Sequence, residues 1–268
     1  MNLTNPALIK NIHLDYVAAG AQIIETNTFG ANRYRLARYG LEHNVHAINR
    51  AGVEIAHEVR VLSSLPLFLA GNIGPLAPSG AIEPADARAA FLEQIEALLQ
   101  ADVDLFLLET FSALAEMREA LLAVRSLTDL PIVALMTFGI NGMVASGEDP
   151  LTVGKMLWEL GADVVGCNCG FGPSSMLEIV KAMRHGLPEQ AFIAAQPNAG
   201  LPQLAGNQYL YPATSEPFAA YTCHFLDAGV RLLGGCCGTT PQHIAAMKKA
   251  LMCEGREDLS TGYFFHGP

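Results

Sequence analysis

The sequence predicts an α/β protein, a (β/α)8 TIM barrel lacking its first strand, and three observations carry that expectation. Segments with helical spacing alternate with short apolar runs along the whole chain. Each apolar run is nearly continuous, as expected of parallel strands covered on both faces. Polar residues recur at the C-terminal ends of those runs, where barrels of this kind carry their sites. A doubly wound sheet would gather them at one switch point, and no G-x-G-x-x-G or P-loop pattern favours that alternative.

The elements follow in order. Asn5-Pro6 starts a helix, with Leu8, Ile9, Ile12, Tyr16 and Val17 at helical spacing and Gly20 as its stop. Ala21 to Phe29 reads as a strand that turns polar at its end, and Val45, Ile48, Ile55, Val59 and Leu62 mark the next helix. Strand 67–72 leads into the Gly/Pro-rich loop 71–80, after which Asp86 caps a helix with the stripe Phe91, Ile95, Leu98 and Leu99. Strand 103–110, helix 114–127 and strand 131–138 come next. Pro150 opens a helix, followed by strand 163–169, helix 174–185 and strand 192–196. Helix 217–227, strand 230–233 and helix 241–253 close a series of seven strands that begins on a helix.

A chain of 268 residues with 51% hydrophobic content suits one barrel domain, assigned to residues 1–254, with 255–268 as a C-terminal tail. The net charge of −10, with only 16% charged residues, argues against nucleic acid and anionic membranes as partners, since both reward Lys/Arg clusters. There is no basic segment followed by an apolar core at the start and no apolar run approaching about 18 residues, which points to a soluble, cytoplasmic protein. With no such leader, six cysteines in apolar surroundings point to metal binding or burial rather than disulfides.

The stretch GGCCGTTP at 234–241 focuses the chemistry. Neighbouring strand side chains face opposite ways, so Cys236 and Cys237 can share one ion only if the backbone turns between them, which the flanking glycines permit. Thr240-Pro241 reads as the N-cap and first residue of a helix. Counted from the absent first strand, Asn27, Glu109, Cys169 and Cys236/Cys237 end strands two, four, six and eight. Alternate strands feed the same inward layers, so these residues are expected to converge on the barrel axis. Three thiolates around zinc leave one position open, and a substrate thiol suits so soft a site better than water does. Zinc lowers that thiol's pKa and holds it as the reactive thiolate.

GGCCGTTP, GCNCGFGP around Asn168-Cys169, ETNTFGAN at 25–32 and PNAGLP at 197–202 resemble the homocysteine S-methyltransferase family, over about residues 4–253. The resemblance implies a zinc-dependent barrel that methylates L-homocysteine to methionine, with Cys169, Cys236 and Cys237 as zinc ligands. It also implies that Glu109 holds the substrate amino group and that Thr28, Phe29 and Asn168 stand on the substrate side. ETNTFGAN, with Gly238 after the cysteine pair, is most similar to members that take methyl from a methylated corrinoid recharged by methyltetrahydrofolate. This chain has no room for corrinoid or folate modules, so a separate protein would present methylcobalamin or methyltetrahydrofolate; betaine and S-methylmethionine are the small-donor alternatives. The same chemistry on another thiol or a selenol is a further alternative, as is a non-catalytic zinc-holding relative.

Family members begin on a strand ending in Asp-Gly, which this sequence lacks, so the expectation is a fragment or an incomplete barrel. Open strand edges are usually covered; the tail 255–268, with Tyr263-Phe264-Phe265, or a second subunit of a homo-oligomer is expected to cover the gap. Plainer roles stand beside the functional ones. Cys169 alone is compatible with a buried core thiol, Glu109 with a structural carboxylate, and Thr28, Phe29 and Asn168 with loop shaping. Cys167 is expected on the face of Cys169, one layer deeper and in the core, as are Cys223 and Cys253 on helices. His13, His43, His46 and His57 fall in or beside helices, where solvated or helix-end roles are expected.

Overall fold

The computed structural model describes residues 1–76, 82–206 and 208–253, and 263–266 as backbone. The chain runs α1 (Pro6–Ala19), β1 (Ile23–Glu25), α2 (Arg33–Ala37), a 3-10 turn (Glu42–Asn44), α3 (Val45–Leu62), β2 (Phe68–Ile73) and α4 (Pro84–Gln100). It continues with β3 (Leu105–Phe111), α5 (Leu114–Leu127), β4 (Ile132–Met136), α6 (Pro150–Glu159), β5 (Val164–Asn168), α7 (Pro173–His185) and β6 (Phe192–Gln196). A small hairpin, β7 (Gln203–Ala205) and β8 (Gln208–Leu210), precedes α8 (Ser215–Ala219), α9 (Thr222–Asp227), β9 (Val230–Gly235), α10 (Pro241–Cys253) and β10 (Tyr263–His266).

Eight strands form one parallel sheet in the order β1-β2-β3-β4-β5-β6-β9-β10, and β10 lies alongside β1, so the sheet curls into an α/β barrel. Seven of these strands are the seven read from sequence. The eighth comes from the tail: Tyr263 to His266 pair in parallel register with Leu232 to Gly235, in the gap between β9 and β1. The rest of the tail, the end of the 71–80 loop and the Cys253 side chain lie outside the described residues.

Strand alternation sorts the core into two shells. Ile23, Ala70, Leu105, Leu107, Val133, Leu135, Val164 and Ala194 pack on one another inside the barrel, with Leu232 against them. The intervening residues, such as Phe106, Leu108, Val165, Cys167 and Ile193, pack outward against Phe91, Ile95 and Leu98 of α4 and their helical counterparts. Fully burying each such side chain contributes roughly 1.5–3 kcal/mol. At the opposite end of the barrel from the site, Asp104 and Asp163 accept from the backbone N–H of Leu69 and Ile132 and pair with Arg60 and Arg125, tying neighbouring strands together.

Several expectations are corrected. Asp86 lies inside the first turn of α4, which starts at Pro84, so it favours the helix through the macrodipole rather than as a cap. The 217–227 helix is two, α8 and α9, separated at Ala220–Tyr221. β1 has only three residues because the chain leaves the sheet after Glu25. No helix among the described residues is long and apolar enough to cross a membrane.

Candidate metal centre

The site occupies the last inward layer of the barrel. Two residues beyond Ile23, Ala70, Leu107 and Ala194, the same strand faces carry Glu25, Asn72, Glu109 and Gln196, and β5 contributes Asn168. Each of these five is at most 5% exposed. They hydrogen-bond in sequence around the barrel. Gln196 Nε2 donates to Glu25 Oε1 at 2.7 Å; Asn72 Nδ2 donates to Glu25 Oε2 at 3.3 Å and Glu109 Oε1 at 2.8 Å; Asn168 Nδ2 donates to Glu109 Oε2 at 2.9 Å. Asn168 Nδ2 also reaches Thr110 Oγ1 at 2.8 Å and Cys236 Sγ at 3.8 Å, so the polar layer runs into the thiols.

The thiols of Cys169, Cys236 and Cys237 lie within 4.8 Å of one another, with Sγ separations of 3.8 Å for Cys169–Cys237 and 3.9 Å for Cys236–Cys237. A tetrahedral ion with sulfur ligands at about 2.3 Å holds them about 3.8 Å apart, which the two separations to Cys237 match. The predicted turn at the cysteine pair is present. Thr239 N–H donates to the Cys236 carbonyl at 3.1 Å, and Gly238, third of the four turn residues, has φ +80°. That conformation is open to glycine and strained for residues with a Cβ. The loop after β6 braces the same backbone: Pro197 O accepts from Cys236 N at 2.9 Å and Asn198 Oδ1 from Cys237 N at 3.1 Å. From α1, the Tyr16 hydroxyl donates to Thr239 O at 3.0 Å.

Cys169 reaches the cluster by a different device. Cys167, two residues earlier, faces outward into the helix-side core, and regular alternation would send Cys169 the same way. Cys169 instead has φ +60°, which turns its side chain out of that alternation. The expected shared face of Cys167 and Cys169 is therefore not observed, although Cys167 is a core residue as expected, its thiol pushed up to about 12 by burial. Thr110, hydrogen-bonded to Asn168, also has a positive φ of 63°. Non-glycine residues in this region cost on the order of 1–3 kcal/mol each and cluster at functional sites.

The thiols share protons unequally. Hydrogen bonds from Cys169 and Cys236 hold Cys237 well below the ordinary thiol range, while the interactions of Cys236 with Cys169 and Cys237, together with burial, hold Cys236 well above it. Cys236 pulls Cys169 down, but its bond to Cys237 and burial prevail and leave it raised. Burial raises Glu109 to about 7 against the donor from Asn72 and raises Glu25 well above the carboxylate range, with the Glu109 charge adding to the latter.

Of the residues expected to converge, Glu109, Cys169, Cys236 and Cys237 do so and Asn27 does not. Asn27 Nδ2 donates to Asn2 Oδ1 at 2.7 Å, because the chain has already left the sheet. Its place on the axis is taken by Glu25, the residue that strand parity from Ile23 points to. Thr28 Oγ1 donates to the Asn72 carbonyl at 2.7 Å, and the Phe29 ring packs on Gly74 beneath the Arg35 guanidinium, so both pack against the end of β2 that carries Asn72. Gln196 and Asn198 were not singled out from sequence; parity from Ala194 identifies the first, and the PNAG loop contains the second. Tyr211 also closes on the site, its ring against Gly238 and its phenol hydrogen-bonded to the Cys237 thiol.

A parallel α/β barrel with three converging thiols at the C-terminal ends of its strands defines a class of barrel with a candidate thiolate site for a metal ion. Its sequence matches the family profile described as homocysteine S-methyltransferase over residues 1–251. The chain belongs to the homocysteine S-methyltransferase family. It is 31% identical over 277 residues to methionine synthase of Mycobacterium tuberculosis (strain ATCC 25618 / H37Rv), covering 98% of this chain and 23% of that protein. Methionine synthase of Mycobacterium leprae (strain TN) is 32% identical over 265 residues, covering 94% of this chain and 22% of that protein. The chain thus spans just under a quarter of the length of these curated relatives. Among solved structures, the metallated homocysteine methyltransferase MmuM from Escherichia coli is similar with TM-score 0.80 and 26% identity, over 92% of this chain and 86% of that one. The apo form of the same enzyme matches with TM-score 0.72.

Proposed function

We propose that this chain transfers a methyl group to the thiol of L-homocysteine, giving methionine, with zinc held by Cys169, Cys236 and Cys237. The observation that carries the reading is the convergence of the three sulfurs within 4.8 Å, with both separations to Cys237 at the spacing a tetrahedral ion requires. An all-thiolate donor set favours zinc over hard cations. Bound there, zinc would lower the pKa of a substrate thiol and hold it as thiolate at neutral pH. The chain's own residues do the positioning. Glu109 receives the substrate amino group, Asn168 fixes that carboxylate relative to the thiols, and Thr28 and Phe29 shape the mouth. Residues 1–254 supply seven strands of the homocysteine-binding barrel, and the tail 255–268 supplies the eighth, β10.

Similarity to methionine synthases over just under a quarter of their length supports a methylated corrinoid recharged by methyltetrahydrofolate as the donor. Betaine and S-methylmethionine are the donors to test against it. The decisive experiment on the thiol reading is titration calorimetry of L-homocysteine into the reduced, zinc-loaded chain in two buffers of different ionisation enthalpy. Binding with release of about one proton is expected, since the thiol must ionise. No binding at full zinc occupancy would overturn the reading in favour of a non-catalytic relative.

A further inference from the structure

Next to the thiols, the inward layer places two carboxylates on either side of one amide. Glu25 is fully buried and Glu109 nearly so, and the NH2 of Asn72 donates to both, at 3.3 and 2.8 Å. Among the described residues, neither carboxylate has a Lys, Arg or His as hydrogen-bond or ion-pair partner. Two carboxyl groups this close in a dry site cannot readily both ionise unless a cation joins them, so their pairing favours the arrival of one. Asn72 adds an independent sign: the residue is 0% exposed, and its Oδ1, the other end of the same amide, has no hydrogen-bond partner. A buried acceptor without a donor costs about 1–3 kcal/mol.

An alkylammonium group answers both features, bringing one positive charge and three N–H donors. Asn168 ties Glu109 to Cys236, so the carboxylate pair and the thiols belong to one connected site. An amino acid with a side-chain thiol presents its ammonium and its sulfur at opposite ends of a short chain. We infer that Glu25 and the Asn72 carbonyl, together with Glu109, form the recess for the substrate's α-ammonium group, so that the amino group is read by two carboxylates and an amide oxygen. This rests on the homocysteine reading above. Glu25 is thereby a specificity residue for aminated over deaminated thiols. Glutamine at this position removes the charge and keeps one acceptor oxygen for Gln196, giving up the longer 3.3 Å contact from Asn72.

The test compares L-homocysteine with 4-mercaptobutanoate, the same thiol acid without its amino group, as calorimetric ligands of the full, reduced, zinc-loaded chain. Wild type is expected to prefer homocysteine. Glu25→Gln is expected to weaken homocysteine by tenfold or more while leaving 4-mercaptobutanoate within twofold and zinc content unchanged. Glu25→Asp, which keeps the charge, is expected to recover most of the preference. An equal loss for both ligands in Glu25→Gln, or an Asp variant as indifferent as the Gln variant, overturns the inference. Homocysteine binding unchanged in Glu25→Gln overturns it too, while leaving thiol methylation standing. Wild type that binds neither thiol at full zinc occupancy removes the homocysteine reading and the inference together.

Discussion

Asn168 donates to Glu109 Oε2 at 2.9 Å, and this bond joins the carboxylate layer to the thiols, because the same nitrogen lies 3.8 Å from Cys236 Sγ. Its Oδ1 meanwhile accepts from the Thr110 N–H at 2.8 Å, holding that residue in its left-handed conformation. Asn168→Ala would leave a buried carboxylate oxygen and a backbone donor without partners. The expected cost is about 2 kcal/mol or more in folding free energy, read from urea midpoints. Zinc affinity should fall about 10–100-fold, read by chelator competition, as when an outer-shell partner of a metal site is lost. Unchanged values in both assays would remove Asn168 from this role.

Gly238 is tested by one methyl group. A Cβ at Gly238 would lie 2.2 Å from Tyr211 Cγ, and its φ of +80° disfavours any residue with a side chain. Gly238→Ala should therefore displace the turn that sets Cys237 beside Cys236, costing more than about 1 kcal/mol of stability and weakening zinc binding. If chelator competition gives the wild-type affinity, the turn is not what positions the pair.

The two cysteines of β5 and its end separate structure from metal binding. Cys169→Ala and Cys236→Ala should both abolish stoichiometric zinc, measured by metal analysis after dialysis. Cys167→Ala should retain it, because Cys167 is 1% exposed in the outward core. Zinc retained by the Cys236 variant would contradict the ligand assignment.

The regular parts of the barrel are legible in sequence because both periodicities are clean there. Helices 114–127 and 241–253 match α5 and α10 at both ends. What escaped the sequence lies where tertiary contacts override local pattern. The three-residue strand β1 ends early, so parity fails after Glu25 and the nearby Asn27 turns to Asn2. α2, five residues long, carries too few positions for a periodic stripe. β7 and β8 are exposed and owe their form to pairing with each other. The three thiols were found through their motif rather than through strand alternation, which Cys169 breaks by its positive φ.

The carboxylate pair should be visible in the pH dependence of stability. Burial, followed by the charge of Glu109, raises Glu25 well above its ordinary 4.5. The folded chain then binds this proton more tightly than the unfolded one, so the stability it contributes is full below about pH 4.5 and is lost as pH rises toward the folded-state value. Glutamine carries no such proton. The stability of Glu25→Gln relative to wild type should thus increase between pH 5 and 8, by up to about 1.4 kcal/mol per pH unit. Urea midpoints of both proteins across that range measure the difference, which cancels titrations common to the two. A constant difference would mean that Glu25 is ionised throughout.

Closure of the barrel by the tail makes the last prediction. Phe265 and His266 pair with Gly234 and Gly235, the residues that lead directly into Cys236. Removing residues 254–268 would leave β9 with an unpaired edge and expose the outer edge of β1, and free edges invite pairing between chains. The expected result is a lower melting temperature, concentration-dependent association in light scattering and weaker zinc binding, since the strand feeding the cysteine turn loses one of its two ladder partners. Phe264→Pro is the milder version, because it removes one backbone donor from β10 and leaves the rest of the tail in place. It should shift melting and zinc affinity in the same direction by less. A truncated chain that stays monomeric, melts as wild type and keeps its zinc would show that seven strands suffice and that β10 contributes nothing to the metal centre.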